Sequence, residues 1–345
     1  MVAGDRVPDA DREAWARVQE AEPSLASPFF RPEFNEIVAA VRDDVVVAVV
    51  RGDDDAIFFP FQRGRLGRGR PVGGRLSDYH GLIGRGNPDL DAKTLLRECG
   101  LHGWDFDAVV AAQRTFEPFH RRVRSSPYLD LSRGFQTFVA ERATAGSNQV
   151  VDVQRQAERL AADVGPLRFE AHIEDTAALE VLLRWKSDQY RRTGAVDIFT
   201  YPWVREVVSR IQGARNEGFA GLLSMLYVSD EPVAAHLGMR SRSVWHYWLP
   251  AYERRFARYS PGLILLLRMA EAAGELGLEA IDLGKGDALY KSRLANANAT
   301  LAEGSVDGSP FGRVTGSSTR LATRLGQRTP VAGRLARSEM RRQFT

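Results

Sequence analysis

The chain has 345 residues, 44% hydrophobic and 26% charged, with a formal net charge of +3. That balance excludes a disordered chain, and no run approaches the ~18 apolar residues that a membrane-spanning helix needs. The single cysteine, Cys99, excludes an intrachain disulfide and argues against a zinc cluster; the opening MVAGDRVPDADREAW has no apolar signal core, so a cytoplasmic protein is expected.

Taken in order, Ala10–Ala21 reads as a helix with Trp15 and Val18 on one side, and Phe34–Arg42 as a second, short one. Asp44–Arg51 and Ala56–Arg63 are β-rich runs joined by Gly52-Asp53-Asp54-Asp55, a hairpin signal. Gly64–Arg75 is a Gly/Arg loop with no Gly-Lys-Ser/Thr, so it is not a Walker loop; it is a basic surface loop or a phosphate or tRNA contact. Leu76–Ile83 reads as a strand with polar residues in it, Asp89–Leu101 as a helix and Phe106–Ala112 as a strand. Arg114–Leu131 joins the halves and ends in the extended Ser125-Ser126-Pro127-Tyr128-Leu129-Asp130-Leu131.

In the second half, Gly134–Asp163 is helical with a break around Thr144–Ser147. Leu167–His172 is a strand. Asp175–Thr193 is a helix that Thr176 can cap, with Leu179, Leu182, Leu183, Lys186 and Tyr190 on one face. Thr200–Gly213 is a helix and Phe219–Ser229 a strand. Val233–Met239 and Ser243–Pro250 form a hairpin around Arg240–Arg242. Ser260-Pro261-Gly262 opens a helix that Gly277 ends, since serine suits the N-cap and proline the first helical position. Glu279–Leu283 is a short strand, Gly284–Asp287 a loop, and Thr300–Val306 a last strand. Each half repeats hairpin, turn, helix and strand, the pattern of a diverged internal duplication, and the alternation of strands and helices gives α/β layering.

A helix start directly after a strand offers unpaired N–H groups and a positive dipole end to an anion, and Gly262 lets a phosphate come close. An ordinary strand-to-helix junction has the same residues. His236, mid-strand in the hairpin, has the pKa range of a general base and is equally suited to a satisfied core position. Tyr247 lies in the next strand. Asp282 sits at the carboxyl end of its strand, where ligands of α/β folds gather, with Asp287 in the adjoining loop. Lys186 at apolar helical spacing is unusual, because a buried lysine is costly unless paired. Asp78, Tyr79 and His80 are candidates for the opposite wall of a cleft. There is no Gly-x-Ser-x-Gly elbow and no cysteine–histidine signature, so no covalent intermediate is expected.

The pieces Ser125–Leu131, Trp185-Lys186-Ser187-Asp188-Gln189-Tyr190-Arg191-Arg192-Thr193-Gly194, Tyr259-Ser260-Pro261-Gly262 and Asp282-Leu283-Gly284-Lys285-Gly286-Asp287-Ala288-Leu289-Tyr290-Lys291 come in an order that resembles the GNAT acyltransferase superfamily. The likeness covers most of Asp43 to Val306. It is nearer to the CelD-like branch, named for cellulose-biosynthesis acetyltransferases, and extends to the Fem-type aminoacyl transferases. The wider superfamily's Gln/Arg-x-x-Gly-x-Gly/Ala signature is reduced here to Ser-Pro-Gly.

The resemblance implies tandem GNAT-like α/β domains, each a mixed, mostly antiparallel sheet flanked by helices. Residues 1–131 would be a degenerate N-terminal domain, 132–166 a helical bridge, 167–310 the domain with the acyl-donor site and 311–345 a basic tail. It implies transfer from acyl-CoA, acetyl-CoA first, to an amine of a small molecule or sugar, without a metal. Ser260, Gly262, Leu263 and Lys291 would hold the donor. Tyr290 would on this likeness protonate the leaving thiolate, while position alone makes His236 the candidate base and Asp282 the catalytic-site acid that could hold the amine. Asp78, Tyr79, His80, Lys186, Gln189, Tyr190, Tyr247 and Asp287 would hold the acceptor. The Fem-type likeness leaves aminoacyl-tRNA open as donor, for which the arginine loop and a tail with eight arginines and one acid after Gly312 are suited. A non-catalytic scaffold of a polysaccharide or natural-product assembly is a third reading.

Overall fold

The computed structural model describes residues 1–52, 55–286 and 288–308; the arginine-rich tail and Asp287 lie outside the described residues. The chain divides into two compact units, one of residues 1–124, 195–207 and the chain from Thr300, the other of residues 125–194 and 208–299.

The elements follow the sequence pattern closely. After β1 (Val2–Ala3), α1 (Asp9–Ala21) carries Asp9 and Asp11 in its first turn, where the helix dipole favours acids, and buries Trp15 and Val18. Then come α2 (Pro32–Ala39), β2 (Val45–Arg51) and β3 (Ala56–Arg63), the last two in continuous antiparallel register from Val45↔Gln62 to Arg51↔Ala56. β4 (Arg68–Arg70), α3 (Ala92–Glu98), β5 (Gly103–Val110) and β6 (His120–Asp130) complete the first half. The second half runs α4 (Phe135–Thr144), α5 (Gln149–Asp163), β7 (Leu167–Glu170), α6 (Thr176–Thr193), α7 (Pro202–Gly213), β8 (Arg215–Asn216) and β9 (Phe219–Val228). It continues as β10 (Glu231–Arg240), β11 (Val244–Tyr252), α8 (Pro261–Ala272), β12 (Ala280–Asp282), α9 (Leu289–Leu294) and β13 (Ala297–Asp307).

In the first unit the strand order is β1-β2-β3-β4-β5-β13; in the second it is β6-β12-β11-β10-β9-β7, with β8 beside β9. In both units the strand pairing is mixed and mostly antiparallel. The parallel pair is β4–β5 in one and β11–β12 in the other, and each is bridged by a helix, as parallel strands require. The expected repeat is therefore present: β2-β3-β4-α3-β5 matches β9-β10-β11-α8-β12. Each repeat's last strand gains an antiparallel neighbour, β13 for β5 and β6 for β12. Those neighbours follow the other repeat in sequence, which pattern reading alone does not reveal.

Three expectations are corrected. Gly64–Arg75 is not one basic loop: it contains β4, and two of its four arginines, Arg68 and Arg70, are engaged. Arg68 grips Asp105 with two hydrogen bonds (2.8 and 2.7 Å) and pairs with Asp307 at 3.0 Å, while Arg70 pairs with Asp44 at 3.1 Å. Leu76–Ile83 is not a regular strand; it touches its neighbours through isolated bridges, Phe58↔Ile83 and His80↔Val109. The N-cap of α6 is Asp175, which accepts the Ala177 N–H at 2.7 Å, rather than Thr176.

The first unit's core gathers Phe59, Phe61, Trp104, Phe106 and Phe116, with Cys99 buried among them. Burial pushes the Cys99 thiol up to about 11, which suits a packing residue and not a nucleophile. The second unit's core is richer in aliphatic side chains, built from α5, α8 and the inner residues of β9 to β12, among them Leu226, Leu265, Leu266 and Ile281, with Trp245 between them.

Candidate active site

The site grows from a mismatch in length. β11 has nine residues, but its parallel pairing with β12 covers only Val244↔Ala280, Trp245↔Ile281 and His246↔Asp282. Beyond Asp282 the chain stays with β6, through Leu283 N–H to Pro127 O at 3.1 Å, and then turns. The turn is written into the sequence: Asp282 Oδ1 accepts the Gly284 N–H at 2.7 Å, an Asx turn, and Gly284 takes φ 71°, a left-handed conformation that favours glycine. A wedge thus opens between β11 and β12 at their carboxyl ends, the place where α/β sheets bind ligands.

β11 is also bulged. Leu237 pairs with Leu249 and Met239 with His246, so Tyr247 and Trp248 together face Gly238. The bulge takes the Trp248 N–H out of the ladder, and His236 Nε2 accepts it at 3.1 Å. The His236 ring stacks on Tyr247, centroids 4.6 Å apart. The Tyr247 hydroxyl donates to Gly262 O at 3.3 Å and so ties the bulge to the first turn of α8.

α8 starts at the same end of the sheet. Ser260 occupies the N-cap position in a left-handed conformation (φ 54°), with no side-chain capping bond. Its carbonyl takes the Leu263 and Ile264 N–H groups at 2.9 and 3.2 Å. Leu263's amide is therefore engaged, which leaves Gly262 as the open approach. Among the described residues, a Cβ built on Gly262 would meet only Tyr252 Cδ1 outside its own helix turn, at 3.6 Å, so none of them covers this side of the helix start. Tyr290, on α9, packs half-buried against the same core. Burial pushes its phenol up to about 12, and the Tyr247 phenol is raised well above its usual range by burial first and by Tyr290 next.

Residues 150–292, from α5 into α9, match the family model of the acetyltransferase (GNAT) domain. That stretch is similar to a GNAT domain. No curated protein sequence matches the chain. Among solved structures, FemX is 10% identical with a TM-score of 0.58, covering 90% of this chain and 98% of that one. The C-terminal DUF2156 domain of an Agrobacterium fabrum protein described as a lysylphosphatidylglycerol synthetase is 13% identical with a TM-score of 0.54, covering 91% and 97%. A Bacteroides thetaiotaomicron protein of unknown function is 14% identical with a TM-score of 0.51, covering 86% and 98%. At these identities the likeness is one of fold. Among the described residues no helix is long and apolar enough to cross a membrane, and no group of three or more His, Cys, Asp or Glu side chains could hold a metal ion.

Within residues 150–292, contacts join Lys186 to Tyr190, His236 to Tyr247 and Tyr247 to Gly262, and Tyr290 is near enough to raise the Tyr247 phenol; Asp282 lies beside His246 instead. His236 does not fit the base role expected of it. It is 0% exposed and already receives a backbone N–H; burial first, then His246 and Lys186, lower its pKa to about 3. It is a core histidine that satisfies the bulge. Asp282 is buried and turns the chain, accepting from Ser126 Oγ (3.5 Å) as well as from Gly284. Lys291 holds the loop by donating to the Gly284 and Lys285 carbonyls, both at 3.0 Å. Gln189 is half-buried on α6, one turn from Lys186.

Asp78, Tyr79 and His80 belong to the first unit. Tyr79 is buried edge-on to Phe30, and His80 Nε2 accepts the Asp107 and Ala108 N–H groups at 3.2 and 3.0 Å. Those two are packing groups of that unit and not an open wall; Asp78 is half-buried. The bulge at Tyr247–Trp248 and the splay of β11 from β12 went unread in the sequence. One signal was present: Pro250 inside a strand run marks a position without a ladder partner for its nitrogen.

Proposed function

We propose that this GNAT-like domain transfers an acyl group from acyl-CoA, acetyl-CoA first, to an amine of a small molecule or sugar. The observation that carries this reading is the coincidence of the uncovered α8 start at Gly262 with the wedge between β11 and β12. A pyrophosphate at the Gly262 amide and helix dipole would direct the thioester arm into the wedge. The acceptor nitrogen attacks the carbonyl carbon, the C–S bond breaks and the thiolate takes a proton from the Tyr290 hydroxyl. That phenol stays protonated at neutral pH because burial raises it to about 12. His236 holds the bulge in shape and leaves the proton chemistry to other groups.

Acetyl-CoA at about 100 times its dissociation constant should stabilise the chain by about 2.7 kcal/mol. Native mass spectrometry should show one bound equivalent, and thermal melting should show the matching upward shift. Neither an adduct nor a shift at millimolar acetyl-CoA would overturn the reading.

A further inference from the structure

Acyl transfer to an amine needs a group that takes a proton from the incoming ammonium, and His236 is sealed away from it. The lysine on the inner side of α6 is differently placed. Lys186 Nζ donates to Pro250 O at 3.0 Å and lies 5.6 Å from the centroid of the Tyr190 ring.

The strand ladder says which side of β11 this is. Glu253 N–H reaches Val233 O at 2.9 Å, and the register pairs Ala251 with Ala235 and Pro250 with His236. Alternation along an antiparallel pair therefore turns Pro250's backbone away from β10. A proline belongs at such a position, since it has no N–H to give. The side away from β10 is the one β12 covers only as far as His246. The Lys186 amine thus stands at the open edge of β11, in the wedge.

The acids near it are engaged elsewhere. On β10, Glu231 pairs with Arg255; after β11, Glu253 accepts from Trp185 Nε1 at 3.1 Å; on α6 itself, Asp188 pairs with Arg191 and Glu180 has a partner of its own. The strands that α6 packs against carry, as their other titratable or charged groups, His236 and Arg240 on β10 and His246, Tyr247 and Tyr252 on β11, of which Tyr247 turns to α8. No carboxylate among the described residues pairs with Lys186.

We propose that Lys186 is the general base of this site, accepting the proton of the acceptor's ammonium at Nζ while Pro250 O holds the amine in place. Burial alone lowers its pKa to about 8, within the range where a lysine serves as base. The protons balance. Lys186 Nζ takes one from the ammonium and passes it to solvent. After attack, the second proton of the new amide nitrogen replaces the one that Tyr290 gave to the thiolate, leaving amide, free thiol and one released proton.

The inference rests on the acyltransferase reading, and its test keeps the two apart. With 13Cε-lysine-labelled full-length protein, the Lys186 signal, assigned by its loss in Lys186→Arg, should titrate near pH 8. With acetyl-CoA and glucosamine as the amine probe, Lys186→Met and Lys186→Arg should each lower CoA release by ~10²–10⁴-fold. The acetyl-CoA melting shift should persist in both, and free ethylamine should partly rescue Lys186→Met. Titration above pH 10 would overturn the assignment whatever the assay gives, and so would full activity in Lys186→Arg, which keeps the charge but cannot accept a proton. Loss of the acetyl-CoA shift in the wild type would instead strike the underlying reading. If glucosamine is not turned over, the titration decides.

Discussion

Tyr290→Phe should lower turnover by ~10²–10⁴-fold, the usual worth of a general acid, while leaving the KM for acetyl-CoA nearly unchanged. The hydroxyl is the only part removed, and the ring keeps its packing against the second unit's core. Because burial raises the phenol to about 12, the wild-type rate should not fall from ionisation of this group below about pH 11. Steady-state kinetics on acetyl-CoA, read as separate kcat and KM, checks this. A variant that loses affinity but keeps kcat would make Tyr290 a packing residue of the donor site.

The second large effect is on stability and comes from His236. Its folded pKa of about 3 lies below the ordinary value of 6.5. The unfolded chain therefore binds the proton more readily, so the contribution is fully present above pH 6.5 and is lost as pH falls toward 3. Between pH 7 and pH 5 this residue alone should cost about 2 kcal/mol by linkage. His236→Ala should remove that pH dependence. It should also destabilise the protein by about 2–4 kcal/mol at pH 7, since it leaves the Trp248 N–H buried without an acceptor and a void beside Tyr247. Denaturant unfolding at the two pH values measures both. Equal slopes with pH in wild type and variant would show that His236 gains access to water.

Residue patterns carried the repeat and the helix start because both are local. Hairpin signals and Ser-Pro-Gly are each set by neighbours within a few positions. The fate of single polar groups was not local. Whether His236 faces solvent depends on a bulge in the facing strand. Whether Lys186 has a counterion depends on acids such as Glu231 and Glu253, whose partners, Arg255 and Trp185, only the fold reveals. The arginines of 64–75 read as a basic loop because Asp44, Asp105 and Asp307, which neutralise Arg68 and Arg70, are distant in sequence. The exchange of β6 and β13 was hidden for the same reason: strand pairing between distant segments leaves little trace in either one.

The most direct test is calorimetric titration of CoA into wild type and Gly262→Val. A Cβ at this position meets only Tyr252 among the described residues outside its own helix turn, at ordinary contact distance, so the melting temperature without ligand should stay within a few degrees of wild type. CoA affinity should fall at least tenfold, because the methyl groups stand where a phosphate must approach the backbone amide. Equal affinity in the two proteins would contradict a donor site at the start of α8.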